Sequence, residues 1–501
     1  MDENNVMKIS HIVNLPTLNI KSQLNMNIDS NTHIKQVLNI ETCLMEWQTE
    51  PMSNKTLIKG AIGVKVIYVD TDNIFNTLSD TVNFSESLTN DNISNDSQID
   101  IYNHQFTTTF DNDERQLHIN IDGTIDCTCN TNNILNSFVS NNNSLVTKKS
   151  MLPTQHRVQQ INKSCNYDFD FKFDSKINKI LSFDSKLVID DTKCCDGYIV
   201  ITGQIFNTIV CEIENESNVV KLINNSTNFK CEIEANSCNG DCCTDLNAFI
   251  NINATQITTD INDNGTHFNF DYVIVVNGNL YGETNLDIVD DVYSTENHIE
   301  TVSNKYKICK KLPYLKFNES VDSEITLSDD VNIDEILGII NTHSNITRYI
   351  VKSDVIIVEG VINGNLLYLD ENRQIKHLET QIPYSLNIKQ SLKDEICAIK
   401  LSAIPTMCKC KIKRGNTLMV DYELCVCGNL YSNLEVEIIE NVKYGKAFDY
   451  NDIAFQIYIA RPEETMWNLC KRLHVKQEQL LESNKETPTT YAGGEKIIIY
   501  R

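Results

Sequence analysis

The chain has 501 residues, with 68 acidic and 43 basic side chains and a formal net charge of −25. A surface of this sign repels phosphate backbones and anionic membranes, so nucleic-acid binding through a basic face is disfavoured. Hydrophobic residues make up 41% of the chain, which is enough for packed cores, and the length predicts about three or four domains.

The N-terminal segment MDENNVMKISHIVNLP contains no charged region followed by a long apolar core. No later window approaches the roughly 18 uninterrupted apolar residues of a membrane span. We therefore expect a protein that is made and kept in the cytosol of the cell that produces it.

Three stretches of the chain share one pattern at nearly constant spacing. Each begins with an I-x-x-[IV]-L run and reaches a glycine 26 or 27 residues later: Ile34 and Gly60, Ile177 and Gly203, Ile333 and Gly360. Residues two before, two after and six after each glycine are apolar, and eight after it stands Tyr68, Cys211 or Tyr368. This alternation predicts a long strand with one face on a core. The shared glycine indicates a bulge or a close backbone approach.

Each copy continues with a turn and a second strand that ends at an aromatic residue: Phe84, Phe229 or Tyr384. The closing hairpins at 270–281 and 420–431 share the terminal sequence Gly-Asn-Leu-Tyr, whereas the first copy ends more loosely at 118–129. A unit repeated at fixed register predicts a repeat architecture. We expect three β domains at 1–131, 151–283 and 305–435, joined by linkers at 132–150 and 284–304.

The chain contains 18 cysteines, and the candidates for cross-linking or metal binding are Cys194, Cys195, Cys238, Cys242 and Cys243. The last three form the densest local cluster of the sequence. Three interpretations stay open for the cysteines. The cysteines are reduced strand or core residues, or they cross-link after exposure to an oxidant, or they bind a structural zinc ion. The CxxC…CxxC spacing of common zinc sites is absent and no histidine lies nearby, so we assign no metal.

In the last 50 residues, the spacing of apolar residues changes from that of strands to one that includes helices. Met466, Leu469, Cys470 and Leu473 follow the i, i+3, i+4, i+7 spacing of an amphipathic helix, and a second short helix follows in KQEQLLESN. The strands QIYIA and KIIIY bracket the two helices. The predicted fold class is therefore mainly β: three tandem β-rich domains followed by a small β-α-α-β module at 453–501.

Catalytic motifs are missing from the sequence. It contains no G-x-S-x-G, no phosphate-binding loop and no H-E-x-x-H, and the segment GAIGVKV lacks the third glycine of a dinucleotide loop. We expect a protein that is not an enzyme and that needs no cofactor.

The C-terminal module resembles a LysM domain. Pro462, Glu464, Thr465 and Trp467 match its P-G-D-T-L-W motif, with Glu463 and Glu464 in place of glycine and aspartate. Asn484 and Gly494 match its later motifs. The resemblance implies a groove for N-acetylglucosamine chains beside the two helix–strand loops, and these six matching residues are the candidate binding residues. Trp467 is alternatively a core anchor or a partner contact, and Asn484 a hydrogen-bonded helix end or a ligand contact.

The repeats resemble the SPOCS domain of spore-forming bacteria, which has a G-x-[VI]-x-[VI]-x-[IL]-x-Y strand, an acidic turn and an I-P-F-like segment. The copy at Gly360 is the cleanest and the middle copy is degenerate. SPOCS repeats followed by a LysM domain resemble the SipL-type spore coat proteins. This implies an adaptor in the mother-cell cytoplasm and then on the forespore surface, binding a stage IV sporulation protein A-like coat morphogenetic ATPase and other coat proteins. The alternatives are a peptidoglycan-binding envelope protein and a self-assembling, cysteine-cross-linked coat protein.

Overall fold

The computed structural model describes residues 4–28, 33–72, 74–113, 116–140, 142–214, 220–251, 254–328, 331–392, 395–413, 416–449, 455–484 and 488–500. Strands account for 79% of the described residues and helices for 3%, which confirms the predicted mainly β fold class. Among the described residues, neither of the two short helices is long and apolar enough to cross a membrane.

Three consecutive repeats, each with seven strands, form most of the molecule. Repeat 1 contains β1 (Asn4–Asn14), β2 (Leu18–Asn27), β3 (Ile34–Met52), β4 (Lys55–Asp70), β5 (Phe75–Thr89), β6 (Gln98–Asp113) and β7 (Gln116–Phe138). Repeat 2 contains β8 (Leu145–Phe173), β9 (Ile177–Cys195), β10 (Tyr198–Ile213), β11 (Val220–Glu234), β12 (Cys243–Ile250), β13 (Gln256–Asn262) and β14 (Gly265–Ser294). Repeat 3 contains β15 (Asn297–Lys311), β16 (Leu315–Thr326), β17 (Glu335–Val351), β18 (Val355–Leu369), β19 (Ile375–Lys389), β20 (Glu395–Lys413) and β21 (Thr417–Ala447).

Each repeat builds two antiparallel sheets with the same topology. One sheet is a three-stranded meander: β3-β4-β5, β9-β10-β11 or β17-β18-β19. The other sheet is centred on the last strand of the repeat, β7, β14 or β21. The first strand or strands of the repeat pair with one edge of that central strand, and the strand or strands before it pair with the other edge. An apolar core lies between the two sheets of each repeat.

The shared glycine lies in the middle strand of each meander, between a bulge in the preceding strand and an aromatic residue in the following strand. A bulge in the preceding strand lies beside it in repeats 2 and 3 and one residue further along in repeat 1. In the following strand its register partner is the aromatic residue predicted to end that strand, in the pairs Gly60 with Phe84, Gly203 with Phe229 and Gly360 with Tyr384. A Cβ at Gly60 would lie 2.7 Å from the Phe84 ring, and one at Gly203 would lie 2.6 Å from the Phe229 ring. The glycine therefore makes room for an aromatic ring that covers it.

The predicted core positions around each glycine are confirmed, because all twelve are buried: Ile58, Ile62, Val66, Tyr68, Ile201, Ile205, Ile209, Cys211, Val358, Ile362, Leu366 and Tyr368. The opposite face of the same strand is only partly polar. Ile67, Val210 and Leu367, each seven residues after its glycine, are also buried, but in a cluster between repeats.

The segments predicted as linkers are strands instead. Residues 132–138 end β7, residues 145–150 begin β8, residues 284–294 end β14 and residues 297–304 begin β15. The start of β8 pairs with the end of β14, so the two predicted linkers are hydrogen-bonded partly to each other. Their Asn- and Ser-rich composition indicated loops. Their backbone N–H and C=O groups are instead hydrogen-bonded to strands that lie about 140 residues away in the sequence.

Equivalent residues of the three repeats meet in shared clusters, so the repeats pack around a common pseudo-threefold axis. The inter-repeat apolar cluster contains Leu38, Ile67, Val69, Phe75, Leu181, Val210, Val220, Ile340 and Leu367. A second cluster draws two residues from each repeat: Ile9, Leu135, Leu152, Ile288, Ile308 and Ile438. The three β units thus share apolar clusters with one another in addition to their own cores.

The C-terminal module contains β22 (Phe455–Ile459), α1 (Met466–Leu473), α2 (Gln477–Ser483) and β23 (Lys496–Tyr500). This order confirms the predicted strand, two helices and strand. Helix α1 buries the four residues predicted for its apolar face, and the Thr465 side chain caps it by accepting a hydrogen bond from the Asn468 backbone N–H.

Candidate functional site

The candidate site residues of the C-terminal module divide into those that hold the module on the repeats and those that shape its loops. Trp467 belongs to the first group. Its Nε1 donates to Asp291 Oδ2 at 2.8 Å, and its ring packs edge-on against Tyr293 with centroids 5.1 Å apart. Lys471 Nζ donates to the other carboxylate oxygen of Asp291 at 2.6 Å. Trp467 is thus a contact to repeat 2 of its own chain.

The end of β14 reaches into the core of the module. Tyr293 is buried with Leu469 and Cys470 and donates its hydroxyl to the Val475 carbonyl at 2.8 Å. Burial would raise the pKa of Asp291, but the hydrogen bonds from Lys471 and Trp467 outweigh it and lower that pKa. The module is therefore docked through both apolar packing and a charged contact.

Asn484 joins the end of α2 to β23. Its Nδ2 donates to the Leu480 and Ile498 carbonyls at 2.8 Å each, and its Oδ1 accepts from the Ile498 N–H at 2.9 Å. All three bonds go to the backbone of the module, which supports the structural interpretation of this residue. Gly494 has φ +95° and Gly493 has φ +101°, so both adopt the left-handed backbone of the turn into β23.

The two helix–strand loops of the module lie side by side. The Glu463 N–H donates to the Tyr491 carbonyl, and the Tyr491 N–H donates to the Glu464 carbonyl, each at 2.9 Å. The Glu464 carboxylate is buried, accepts from the Arg461 N–H at 2.9 Å and pairs with Arg472. Pro462 and Glu463 are exposed beside it. The loops therefore form one accessible surface in which the Glu464 charge is already paired.

An apolar surface on the other side of the module was not singled out from the sequence. Phe455, Ile457, Ile459, Ile498 and Tyr500, which we call the apolar sheet face, are between 36% and 62% exposed. Phe455 lies opposite Tyr500 and Ile457 opposite Ile498 in the β22–β23 pair. The signal was present in the sequence, because KIIIY and FQIYI place apolar residues on both faces of their strands. Contiguous exposed apolar residues are typical of binding surfaces.

The five candidate cysteines lie together at one end of repeat 2 as free thiols. Cys194 and Cys195 end β9, Cys243 begins β12, and Cys238 and Cys242 are in the loop before it. Burial, followed by a hydrogen bond with Cys238, raises the pKa of Cys194 to about 12, and burial also raises the pKa of Cys238 and Cys243. A higher pKa lowers the fraction of reactive thiolate.

The disulfide found in the described part of the chain joins two other cysteines. Cys165 of β8 is bonded to Cys231 of β11, linking the two sheets of repeat 2. Within the residues that the structure describes, no group of three or more His, Cys, Asp or Glu side chains is arranged to hold a metal ion.

The repeats also meet at a buried charged group, which we call the axis triad: Asp100, Asp245 and Lys400. Lys400 Nζ lies 3.1 Å from Asp100 Oδ2 and 2.6 Å from Asp245 Oδ2. The side chains of Lys400, Asp245 and Asp100 are 4%, 2% and 11% exposed. Each triad residue comes from a different repeat.

Neighbouring side chains complete the hydrogen bonds of the axis triad. Asn279 donates to Asp100 at 3.0 Å, Asn429 donates to Asp245 at 2.7 Å, and the Tyr431 hydroxyl donates to Asp245. Burial would raise the pKa of Asp245, but Lys400 and then Lys311 lower it. Burial would lower the pKa of Lys400, and the two carboxylates raise it instead.

The Gly-Asn-Leu-Tyr motif of the closing hairpins is the sequence signal for this group. Gly278 and Gly428 have φ +144° and +146°, and a Cβ on either would collide with the backbone carbonyl of Asp245 or Lys400. The asparagine that follows each glycine is the residue that reaches the triad. The motif could be read from the sequence, but its charged partners lie far from it along the chain.

Residues 33–104 match the family model described as SipL, SPOCS domain. The matched range covers the meander sheet of repeat 1 and ends in β6, beyond Asp100. The match supports a relationship of repeat 1 to the SipL family. No curated protein and no solved structure matches the chain.

Proposed function

We propose that the protein is a non-enzymatic adaptor in spore coat assembly. The family match of repeat 1 supports a link to the spore coat. The closed packing of the three repeats suits a scaffold, and the contacts of Asp291 and Tyr293 hold the C-terminal module in one orientation on it. In this proposal the protein starts in the mother-cell cytoplasm and moves to the forespore surface and coat.

The observation that carries the proposal is the apolar sheet face. It lies on the sheet of the module, while the docking contacts come from α1 and from Val475. Exposed apolar and aromatic side chains on a fixed frame are the elements of a protein-binding hot spot. We assign this face to a coat morphogenetic ATPase of the stage IV sporulation protein A type. Other coat proteins would bind the repeats.

The test is a binding titration of the full chain with a purified ATPase of that type. Ile457→Asp places a charge in the centre of the apolar sheet face and is expected to weaken binding by about tenfold or more. Gln456→Asp is the matched control, because this exposed neighbour points to the other side of the strand and should change the affinity by less than about twofold. Equal binding by wild type and Ile457→Asp would refute the assignment.

A second candidate function is binding of peptidoglycan through the paired loops of the module. It is favoured by the Glu464 contacts, since a carboxylate already paired with Arg472 adds no unpaired charge that would lose its hydration when a sugar covers the loops. Glu463 is exposed with φ +61°, a conformation that suits the glycine of the LysM motif.

Sedimentation of the full chain with purified peptidoglycan distinguishes this function from the first. Retention that increases in Glu463→Gly and is unaffected by Ile457→Asp would support glycan binding through the loops. If neither wild type nor Glu463→Gly is retained, the glycan function is excluded and the adaptor function is unaffected.

A further inference from the structure

The axis triad occupies one structural position used three times. In the register of the three sheets, Asp100 lies opposite Thr128, Asp245 opposite Asn279 and Lys400 opposite Asn429. These residues therefore correspond to one another in repeats 1, 2 and 3. The position carries a carboxylate in two repeats and an ammonium group in the third, so the pseudo-threefold symmetry is broken by charge at the point where the repeats meet.

Only one composition satisfies these charges. Lys400 reaches both carboxylates at hydrogen-bond distance, and all three side chains are nearly or fully buried. If repeat 1 or repeat 2 replaced repeat 3, three carboxylates would meet at the axis without a cation. If repeat 3 replaced either of the others, two ammonium groups would meet there. Buried like charges without compensation are strongly unfavourable.

Two asparagine side chains beside the triad make the contacts between repeats follow the order of the repeats in the chain. Asn279 of repeat 2 donates to Asp100 of repeat 1, and Asn429 of repeat 3 donates to Asp245 of repeat 2. Each carboxylate is therefore bound by the repeat that follows it in the chain, as well as by Lys400.

The apolar contacts between repeats lack this selectivity. The inter-repeat apolar cluster receives a leucine from the same position of repeats 1 and 2, and an aliphatic residue seven places after the glycine in all three. Apolar packing of this kind is non-directional and tolerates substitution of one aliphatic residue for another. On these contacts alone, one repeat could take the place of another.

We propose that the axis triad determines which repeats associate. The axial position accepts one copy of repeat 3 together with two carboxylate-bearing repeats, and it rejects a set with no copy of repeat 3 or with two copies. Buried polar groups that specify one assembly among several apolar alternatives have this role in other proteins. Each closed ring consequently contains one copy of repeat 3, as a single chain supplies.

The test compares refolding of full-length chains at one high concentration, followed by light scattering on a sizing column. The variant Asp100→Asn/Asp245→Asn/Lys400→Met keeps the shapes of the triad and removes its charges. We expect wild type to refold mainly to monomer and the neutral variant to give a several-fold larger oligomeric fraction. Lys413→Met, which removes one partner of an exposed ion pair in the same repeat, should behave as wild type.

A second variant, which exchanges the charges of residues 245 and 400 and which we call the transposed variant, tests whether the number of carboxylates and ammonium groups at the axis determines the assembly. Asp245→Lys/Lys400→Asp keeps one ammonium group and two carboxylates at the axis, and we expect it to refold to monomer more completely than the neutral variant. The proposal is overturned if the neutral variant refolds to the monomer fraction of wild type, or if the transposed variant yields as much oligomer as the neutral one.

Discussion

The inter-repeat apolar cluster and the axis triad join the same three repeats by opposite physical means. The cluster is built from aliphatic and aromatic side chains that each repeat supplies at similar positions, so it stabilises any close approach of the repeats. The triad is unequal, with a cation from repeat 3 between carboxylates from repeats 1 and 2. The difference indicates a division of roles, in which apolar burial provides attraction and buried charge provides selectivity.

The largest effect should come from removing the cation of the triad. Lys400→Met leaves two buried carboxylates facing each other, and breaking a buried pair in this way costs about 3–5 kcal/mol. Denaturant unfolding at neutral pH measures the loss. A loss of the size found for Lys413→Met would contradict the buried contacts of Lys400.

The pH dependence of that loss distinguishes charge from packing. In wild type, the lowered pKa of Asp245 contributes stability that is present above its ordinary value of 3.8 and is lost as the pH falls through the lower, folded value. In Lys400→Met, burial without the cation raises the pKa of Asp245, so the variant gains stability as that carboxyl takes up a proton. The difference in unfolding free energy between the two proteins should therefore shrink from pH 7 toward pH 4.

An intermediate effect is expected in the apolar cluster. Leu181 is 2% exposed, and truncation of a buried leucine to alanine costs about 2–5 kcal/mol, depending on how far the site collapses. The loss in Leu181→Ala should be the same at pH 7 and pH 5, because the removed group does not titrate. A loss that changed with pH as in Lys400→Met would show that the two contacts are coupled.

The smallest effect should be found where the C-terminal module docks. Trp467→Phe keeps an aromatic ring against Tyr293 but removes the hydrogen bond to Asp291, which is charge-assisted and contributes about 1.5–3 kcal/mol. We expect faster amide exchange of α1 with no change in the exchange of β4, β10 and β18. If amide exchange of those strands became faster by the same factor, the docked module would also stabilise the packing of the three repeats.

The repeat register, the buried strand face and the two helices of the module could be predicted because their signals are local. Apolar residues at period two around Gly60 or Gly360, and at helical spacing from Met466 to Leu473, are visible in any short window. The glycine and its covering aromatic residue were also visible at a spacing of 24 or 26 residues, although their contact across two strands was not.

The prediction of linkers at 132–150 and 284–304 was wrong because the signal that makes these segments strands is not local. Residues 145–150 have a polar, loop-like composition, and their strand character depends on a partner at 288–294 that no local window contains. Trp467 was expected either in a core or at a partner, and its contact with Asp291 needed the position of the module relative to repeat 2. The apolar sheet face required knowledge of which side of β22 and β23 the helices cover.

The threefold repeat of β units and the small helical module could be predicted from local patterns, because repetition and periodicity are properties of neighbouring residues. The grouping of Asp100, Asp245 and Lys400 is visible only in the folded molecule. They are separated by 145 and 155 residues and become neighbours only when the repeats close around their axis. Burial at that point, where water no longer screens charge, gives three otherwise ordinary residues their role.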